Sequence, residues 1–362
     1  MESRVTEPTL LLNENICKSN IKRMAQKARE KGLLFKPHMK THQSAEIARW
    51  FQEEKVKAIT VSSVKMARYF ANHGWNDITI AFPANIRQAS EIDNLASRIS
   101  LTLLASNNQT IDLLENNLNH EVNIYIELDN GGNRSGLKIE EVEKIRSLIK
   151  SLQKTNKLHW QGFYSHPGHS YKARSKDEIM EIHQSVLHQI RQLKNNLKTS
   201  DKEYEICIGD TPCCSISENF EDVDAISPGN FVFYDLMQAQ IGSCQIKDIA
   251  VAMVCPVVDK YPTRNEVVIY GGAIHFSKEF LEDPHIHYGR AATKMENQWQ
   301  LLDDETHLKS LSQEHGIVHC SPDNLNNYKV GDTITILPVH SCLTANLMGT
   351  YMPTEGKKIT QF

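Results

Sequence analysis

The chain has 362 residues, 40% of them hydrophobic and 23% charged, which is typical of a globular protein and argues against wholesale disorder. Its 40 basic and 44 acidic residues leave a formal net charge of −4, which gives no electrostatic footprint for nucleic acid or for an anionic membrane. The length is sufficient for one large domain plus a smaller one.

The start of the chain lacks the apolar core of a signal peptide, and no apolar run approaches the roughly 20 residues that a membrane span needs. Eight cysteines are too few for a disulfide scaffold at this length. We therefore expect reduced thiols and a cytoplasmic location.

Strand and helix patterns alternate up to about residue 242. Asn13 is placed to cap a helix over 14–31, and Gly32 is placed to end it. The predicted strands are 33–40, 58–63, 78–83, 99–106, 122–129, 159–167, 203–210 and 224–228. Helical stretches between most of them predict an α/β (β/α)8 TIM-type barrel, with an open doubly wound sheet as the alternative.

After Gly242 the pattern changes to short β-branched runs separated by turns, and the helical periodicity ends. These runs are 249–258, 266–269, 316–320 and 333–337. We therefore predict a barrel over 13–242 and a mostly β C-terminal domain over 243–362.

Three ionisable side chains alternate at the end of the first predicted barrel strand. His38, Lys40 and His42 would point to one side of a strand. Catalytic groups of such barrels lie at the carboxyl ends of the strands. Because partial desolvation and neighbouring imidazoles favour a neutral amine, Lys40 would be a good nucleophile. A solvated loop lysine is the alternative.

The segments after strands seven and eight are rich in small and hydroxyl-bearing residues. They contain Thr211 and Ser215 in the first segment, and Gly229 and Asn230 in the second. Each alone is more simply a turn, but both fall where a barrel of this kind binds phosphate. Together with Lys40 they predict a phosphorylated aldehyde cofactor held on the lysine.

His340 and Cys342 form a second candidate site near the C-terminus. If this segment is a strand, the two side chains face the same way and are close enough to share one metal ion, for which imidazole and thiolate favour zinc. The alternative is a buried cysteine beside a hydrogen-bonded histidine, and the spacing alone favours that alternative.

These motifs resemble those of the D-threonine aldolase and D-serine dehydratase family, which are pyridoxal phosphate enzymes with the alanine racemase type of fold. The resemblance runs nearly end to end. It is carried by the segments 9–12, 37–42, 127–136, 209–212, 228–235, 314–316 and 340–342.

The resemblance implies a homodimer with pyridoxal phosphate bound as a Schiff base to Lys40, and residues 1–12 adding a strand to the β domain. The cofactor-binding residues that it implies are Lys40, Arg134, Tyr164, His166, His169, Thr211, Gly229 and Asn230. His340 and Cys342 match the metal pair of the family. Aldolase members tend to have His-x-Asp with a harder ion such as manganese, so Cys342 indicates the zinc-dependent dehydratase branch.

The resemblance therefore implies a lyase acting on a D-β-hydroxy amino acid, most similar to D-serine dehydratase, in which Lys40 removes the α-proton and zinc assists the leaving hydroxyl. The alternatives are retro-aldol cleavage, an amino acid racemase, a non-enzymatic pyridoxal phosphate carrier, and a metal-dependent hydrolase with His38 and His42 as ligands. The segments 270–277, 283–287 and 343–345 depart from the family pattern and leave the substrate open.

Overall fold

The computed structural model of the chain describes residues 5–197, 204–282, 284–295, 298–354 and 357–362. The strands are β1 (Thr9–Leu12), β2 (Leu34–Phe35), β3 (Ile59–Val61), β4 (Asp77–Pro83), β5 (Ser100–Ala105), β6 (Val122–Asp129), β7 (Leu137–Lys138), β8 (Leu158–Ser165), β9 (Glu205–Ile208), β10 (Ala225–Ile226), β11 (Val251–Tyr261), β12 (Glu266–Tyr270), β13 (Gly289–Met295), β14 (Gln298–Leu301), β15 (His307–Leu311), β16 (His315–His319), β17 (Thr333–Pro338), β18 (Thr350–Pro353) and β19 (Ile359–Thr360).

The helices are α1 (Glu14–Glu30), α2 (Ala45–Glu53), α3 (Val64–Asn72), α4 (Ala89–Ala96), α5 (Asn108–Asn117), α6 (Val142–Leu152), α7 (Lys176–Leu197), α8 (Thr211–Ile216), α9 (Leu236–Gln240), α10 (Ala273–Phe276), α11 (Pro322–Asn327) and α12 (Ser341–Met348).

The described residues fall into two compact units. One comprises Met1–Lys22, Thr41–Ile47 and Asn230–Phe362, and we call it the β unit; the other comprises Arg23–Lys40 and Ala48–Gly229, and we call it the barrel unit. The domain limits predicted from the sequence, 13–242 for the barrel and 243–362 with 1–12 for the β domain, stay a prediction.

The barrel unit is built on a parallel sheet with the strand order β2-β10-β9-β8-β6-β5-β4-β3, beside which β7 pairs with β6. Backbone hydrogen bonds connect the two ends of this order: the Met39 N–H donates to the Thr60 carbonyl (2.8 Å) and the Thr60 N–H to the Pro37 carbonyl (2.9 Å). Among the described residues the sheet is therefore a nearly closed (β/α)8 barrel. The predicted fold class is confirmed, and the open sheet is excluded.

The predicted barrel strands all correspond to observed ones within the described residues. β6 has the predicted bounds, and the strand predicted over 203–210 is β9, although Glu203 itself lies outside the described residues. The predicted cap of α1 is confirmed, because Asn13 Oδ1 accepts a hydrogen bond from the Ile16 N–H (3.2 Å). Gly32 follows this helix with φ +69°, a conformation that glycine adopts without strain.

A buried polar network lies inside the barrel. The Lys36 ammonium is 2.7 Å from Glu205 Oε1 and donates to the Tyr125 hydroxyl at 2.8 Å, and Tyr125 in turn donates to Glu205. β8 passes close to this network at Gly162, where a Cβ would lie 1.9 Å from the Glu205 carbonyl oxygen. These residues come from β6, β8 and β9 and from the residue after β2, so they stabilise the strand arrangement that positions the carboxyl ends.

The β unit contains an antiparallel sheet in which β12, β16, β15, β13, β17 and β11 follow one another, and the pairing of β11 with β12 closes the ring. β14 extends β13. On the other side, β1 pairs antiparallel with β11 and parallel with β18, so it lies inside the sheet. Leu10, Leu11 and Leu12 of β1 are buried.

The predicted mostly β character after Gly242 is confirmed, but the described residues there also contain three short helices that the sequence pattern did not predict, α10, α11 and α12. These helices have only four, six and eight residues. Elements this short do not complete the repeats by which an amphipathic helix is recognised in a sequence window of about 11–18 residues.

Among the described residues, every helix is either too short or too polar to span a membrane. No disulfide joins the cysteines of the described chain.

Candidate active site

Lys40 lies in a turn that follows β2, whereas the sequence predicted a strand up to this residue. β2 ends at Phe35, and Pro37 has no N–H with which to extend the hydrogen-bond ladder. The His38 N–H still donates to the Pro228 carbonyl at 2.8 Å, but the next residues form a turn in which the Lys40 N–H donates to His38 Nδ1 at 3.3 Å. The predicted alternation of side chains along a strand therefore does not extend to His42.

A cavity of about 410 Å³ opens at the carboxyl ends of the barrel strands. Five of the residues that the sequence predicted for the active site line it: His38, Lys40, Arg134, Tyr164 and His166. The other lining residues are Ser62, Ala81, Phe82, Pro83, Glu127 and Ser135. A concave site of this size, at this end of a (β/α)8 barrel, is the usual place for a small ligand and its chemistry.

The cavity combines two basic side chains with neutral polar ones. Burial, together with the nearby charges of Lys40 and Arg134, lowers the pKa of His166 to about 3, so the imidazole is neutral. Burial raises the pKa of Tyr164, whose hydroxyl lies 3.4 Å from Ser227 Oγ. The positive groups are therefore Lys40 and Arg134, which suits an anionic ligand with a polar ring.

Arg134 reaches the cavity because the loop after β6 is held by its own side chains. Asp129 Oδ1 accepts hydrogen bonds from the Gly131 and Asn133 N–H groups, both at 3.0 Å. At Gly136 φ is +99°, and a Cβ would lie 2.8 Å from the backbone of Leu128, so only glycine fits. The glycine-rich sequence thus turns the chain tightly back and directs Arg134 into the cavity.

Glu127 is a cavity residue that sequence reasoning did not single out, although it begins the motif 127–136. It is 4% exposed; the Ser135 hydroxyl donates to its Oε1 at 2.6 Å, and its Oε2 has no hydrogen-bond partner among the described residues. Burial raises the pKa of this carboxyl, while the Ser135 hydrogen bond and Arg134 oppose the shift. The signal that could have identified Glu127 in the sequence is an acidic residue near the end of a predicted buried strand, since charged residues are seldom buried without a role.

The predicted phosphate segments lie at the same end of the barrel as Lys40, since they follow β9 and β10. Thr211 is fully buried at the start of α8, and its N–H donates to the Tyr171 hydroxyl at 3.1 Å. Gly229 follows Pro228, which accepts the hydrogen bond from His38. At Gly209 a Cβ would lie 2.8 Å from the Ser227 carbonyl oxygen, so the backbones of the two segments pass closely. Their contact with phosphate stays a prediction.

His42 belongs to the β unit and is fully buried. Its Nδ1 accepts a hydrogen bond from the Ser44 N–H at 3.1 Å, and burial lowers its pKa to about 3. The imidazole is therefore neutral, and its catalytic role stays a prediction.

His340 and Cys342 lie at the start of α12, so the prediction that they share a strand is wrong. β17 ends at Pro338, His340 is the N-cap residue of the helix, and Cys342 is in its first turn. The two side chains nevertheless meet. Burial lowers the pKa of His340, but a hydrogen bond to Cys342 and the charges of Cys342 and Asp235 outweigh this and raise it to about 9.

The donor set of this pair fits a zinc ion. His340 Nδ1 is buried and has no hydrogen-bond partner among the described residues, and a thiolate with an imidazole is a ligand combination that zinc prefers. No group of three or more His, Cys, Asp or Glu side chains in the described part of the chain could hold a metal. Further ligands would therefore come from water or substrate, as in catalytic zinc sites that keep an open position.

The cavity residues likewise fit pyridoxal phosphate. Lys40 offers an amine for its aldehyde, Arg134 offers a positive charge for its anionic groups, and the Tyr164 hydroxyl and the His166 ring offer neutral polar contacts. The segments after β9 and β10 follow the strands after which a barrel of this kind commonly holds phosphate.

Two of the three segments that depart from the family pattern, 270–277 and 343–345, meet within the β unit. The Thr344 hydroxyl of α12 donates to the Phe276 carbonyl of α10 at 3.2 Å. His275 Nδ1 accepts a hydrogen bond from the Gly272 N–H at 3.0 Å. Asp283 lies outside the described residues.

Two family models match the chain. Residues 13–236 match the model described as "Alanine racemase, N-terminal domain", and residues 250–354 match the "Putative serine dehydratase domain". A D-serine dehydratase of Dictyostelium discoideum is 28% identical over 96% of this chain and 93% of its own length.

Solved structures share the fold over the whole chain. A D-threo-3-hydroxyaspartate dehydratase from Delftia sp. HT23 has a TM-score of 0.89 at 21% identity, covering 99% of this chain and 98% of the other. A cysteine-to-alanine variant of that dehydratase, solved in the metal-free form, has the same TM-score. A D-threonine aldolase from Filomicrobium marinum has a TM-score of 0.85 at 18% identity, covering 99% and 94%.

The family model of the barrel covers more than half of the chain, and the C-terminal match agrees with the predicted resemblance to D-threonine aldolases and D-serine dehydratases. The chain belongs to the alanine racemase N-terminal domain family.

Proposed function

We propose that the protein is a pyridoxal phosphate- and metal-dependent lyase that acts on a D-β-hydroxy amino acid, with the elimination chemistry of a D-serine dehydratase. The observation that carries the proposal is the cavity in which Lys40 and Arg134 lie with His38 and with the neutral side chains of Tyr164 and His166. The relatives named as D-serine dehydratase and D-threo-3-hydroxyaspartate dehydratase support the substrate class.

In this proposal Lys40 would hold the cofactor, and its amine would remove the α-proton of the substrate. Pyridoxal phosphate supplies an electron sink for the electrons left at the α-carbon. Arg134 and Tyr164 orient the ring, and Thr211 and Gly229 with the backbone of Asn230 bind the phosphate. The products are a keto acid and ammonia, after loss of the β-hydroxyl and hydrolysis.

His340 and Cys342 would hold zinc, with manganese as the alternative ion. A Lewis acid on the substrate's hydroxyl makes hydroxide a better leaving group and is worth several kcal/mol. If the ion instead assists deprotonation of that hydroxyl, the Cα–Cβ bond breaks and the reaction is an aldol cleavage, as the names of the aldolase relatives suggest.

The alternative of a metal-dependent hydrolase with His38 and His42 as ligands is not supported. His38 lines the cavity, whereas His42 is buried in the β unit with its Nδ1 engaged by Ser44. We also propose, from the resemblance, that the protein is a homodimer, which light scattering of the purified protein will test. The cytoplasmic location that the sequence predicts stays a proposal.

The test of the function is product analysis with D-serine, D-threonine and D-3-hydroxyaspartate, with and without prior chelation, and with L-serine as the stereochemical control. We expect a keto acid and ammonia from a D substrate, and loss of this activity on chelation. Lys40→Ala should abolish activity, and borohydride reduction followed by peptide mapping should label Lys40 in the wild type.

Glycine and an aldehyde as the main products would identify an aldolase. A label on a lysine other than Lys40 would overturn the cofactor assignment, and full activity after exhaustive chelation would overturn the metal assignment.

A further inference from the structure

The Asn230 side chain contacts three protein side chains that have no part in binding the cofactor phosphate. It is 3% exposed, and its Nδ2 lies 2.7 Å from Asp235 Oδ2, 3.2 Å from Ser341 Oγ and 3.4 Å from Cys342 Sγ. Because a carboxylate only accepts hydrogen bonds, the nitrogen of the amide must face Asp235, which fixes the orientation of the side chain. The amide nitrogen of Asn230 therefore points at the start of α12.

The Asp235 carboxylate holds this amide and the start of α12 together. Its Oδ2 also accepts hydrogen bonds from the Ser341 N–H at 2.9 Å and from the Ser341 hydroxyl at 3.2 Å, and its Oδ1 accepts one from the Gln238 N–H at 3.0 Å. Asp235 is 1% exposed. One buried acid thus fixes Asn230 and the residue that lies between His340 and Cys342.

The Cys342 sulfur has polar groups around it, unlike a cysteine that only fills a core. Besides Asn230 Nδ2, the Thr41 hydroxyl lies 3.2 Å from it, and the His340 side chain hydrogen-bonds to it. Cys255 of the same unit shows the contrast, since burial alone accounts for the raised pKa of its thiol. Donors directed at a sulfur stabilise it as a thiolate, which is the form that binds metal.

We propose that Asn230 is a positioning residue for the metal pair: its amide, held by Asp235, donates to the Cys342 sulfur and fixes the direction of the thiolate. The inference rests on the metal pair of the proposed function. It assigns the Asn230 side chain to the metal site, where the sequence suggested the cofactor phosphate. Groups that hold metal ligands in place in this way typically change metal affinity 10–100-fold when removed.

The experiment compares the wild type with Asn230→Ala and with Asn20→Ala as the matched control. Asn20 is an equally buried asparagine of the β unit, and its Nδ2 donates to the backbone carbonyls of Asp248 (2.8 Å) and Val232 (3.4 Å). Zinc affinity of each holoenzyme is measured by competition with a chromophoric chelator, and the affinity for pyridoxal phosphate is measured separately. The cobalt-substituted proteins report the thiolate directly, through the thiolate-to-metal absorption band.

We expect Asn230→Ala to weaken zinc binding by about 10–100-fold and to alter the cobalt band, while its affinity for pyridoxal phosphate stays near that of Asn20→Ala. Unchanged zinc affinity with weakened cofactor binding would return Asn230 to the phosphate site and overturn the inference. If Asn230→Ala does not fold, Asn230→Ser replaces it, because a serine hydroxyl can still donate to Asp235 but is too short to reach the sulfur as well.

The zinc affinity of Cys342→Ala distinguishes a failure of the proposed metal pair from a failure of the inference about Asn230. If Cys342→Ala binds zinc as the wild type does, the metal pair itself is wrong. If Cys342→Ala loses zinc and Asn230→Ala binds it as Asn20→Ala does, the metal pair stands and only the positioning role of Asn230 is wrong.

Discussion

At the scale of single residues, Glu127 shows a conflict between stability and the chemistry of the cavity. It is a nearly inaccessible acid with one carboxylate oxygen that lacks a partner among the described residues. Burial raises its pKa, so the folded protein holds the proton more tightly than the unfolded chain does. The folded state is therefore penalised when the carboxyl ionises. A group retained at such a cost is a candidate for function.

We expect Glu127→Gln to stabilise the protein more at about pH 8 than at about pH 4, because glutamine keeps an acceptor for Ser135 and does not ionise. Since the folded pKa is raised, the penalty on the wild type is absent below the ordinary value of 4.5 and grows as the pH rises above it. Urea unfolding of both proteins at the two pH values measures the difference.

Glu141→Gln is the control, because its effect on stability should depend on pH in the opposite direction. A hydrogen bond from Lys144 and one from the Lys138 N–H lower the pKa of Glu141, so its contribution to stability is present at high pH and is lost as the pH falls. An equal effect of Glu127→Gln at both pH values would show that Glu127 does not ionise with a raised pKa.

At the scale of elements, the long periodic segments were predictable, whereas several short elements were not. α6 buries Ile145, Leu148, Ile149 and Leu152, which have the i, i+3, i+4, i+7 spacing of an amphipathic helix. The alternation of strands and helices in the barrel was predicted from patterns of this kind. β7, α8 and α12 have two, six and eight residues, so tertiary contacts rather than local pattern decide them.

The metal pair is the clearest case. The spacing of His340 and Cys342 was interpreted as alternation along a strand, yet the following residues, Leu343 to Met348, are mostly good helix formers that end at a glycine. Asp235 lies more than 100 positions earlier in the sequence than Ser341, to which it bonds. No local pattern contains that contact. The residue at which α12 begins could therefore not be predicted from the sequence alone, even though the residues that follow favour a helix.

Gly349 ends α12 in the left-handed conformation, with φ +65°, and its N–H donates to the Ala345 carbonyl at 3.0 Å. We expect Gly349→Ala to lower the free energy of unfolding by about 1 kcal/mol, because a Cβ disfavours this conformation. No atom lies within 4 Å of the Cβ position, so the cost is conformational and not steric. Gly349→Asn should cost less, since asparagine tolerates the left-handed region. Equal losses for alanine and asparagine in urea unfolding would contradict this explanation.

At the scale of the whole molecule, the two compact units are interleaved in the sequence. The β unit takes Met1–Lys22 and Thr41–Ile47 from the first part of the chain and Asn230–Phe362 from the last. Lys40 and Thr41, adjacent in the sequence, belong to different units. Dividing the chain at one position cannot yield both units complete.

The β unit should therefore not fold from its C-terminal segment alone. β1 lies between β11 and β18, and without it each of these strands loses one of its pairing partners and the contact with the buried leucines of β1. We expect a fragment of residues 230–362 to show no cooperative thermal transition in near-ultraviolet circular dichroism. Joining residues 5–22 to its N-terminus through a flexible glycine-serine linker should restore one. The same fusion with Leu10→Asp and Leu12→Asp is the control, because it keeps the length and removes the apolar contacts. Cooperative unfolding of 230–362 by itself would mean that β1 is an accessory strand and not part of what holds the sheet together.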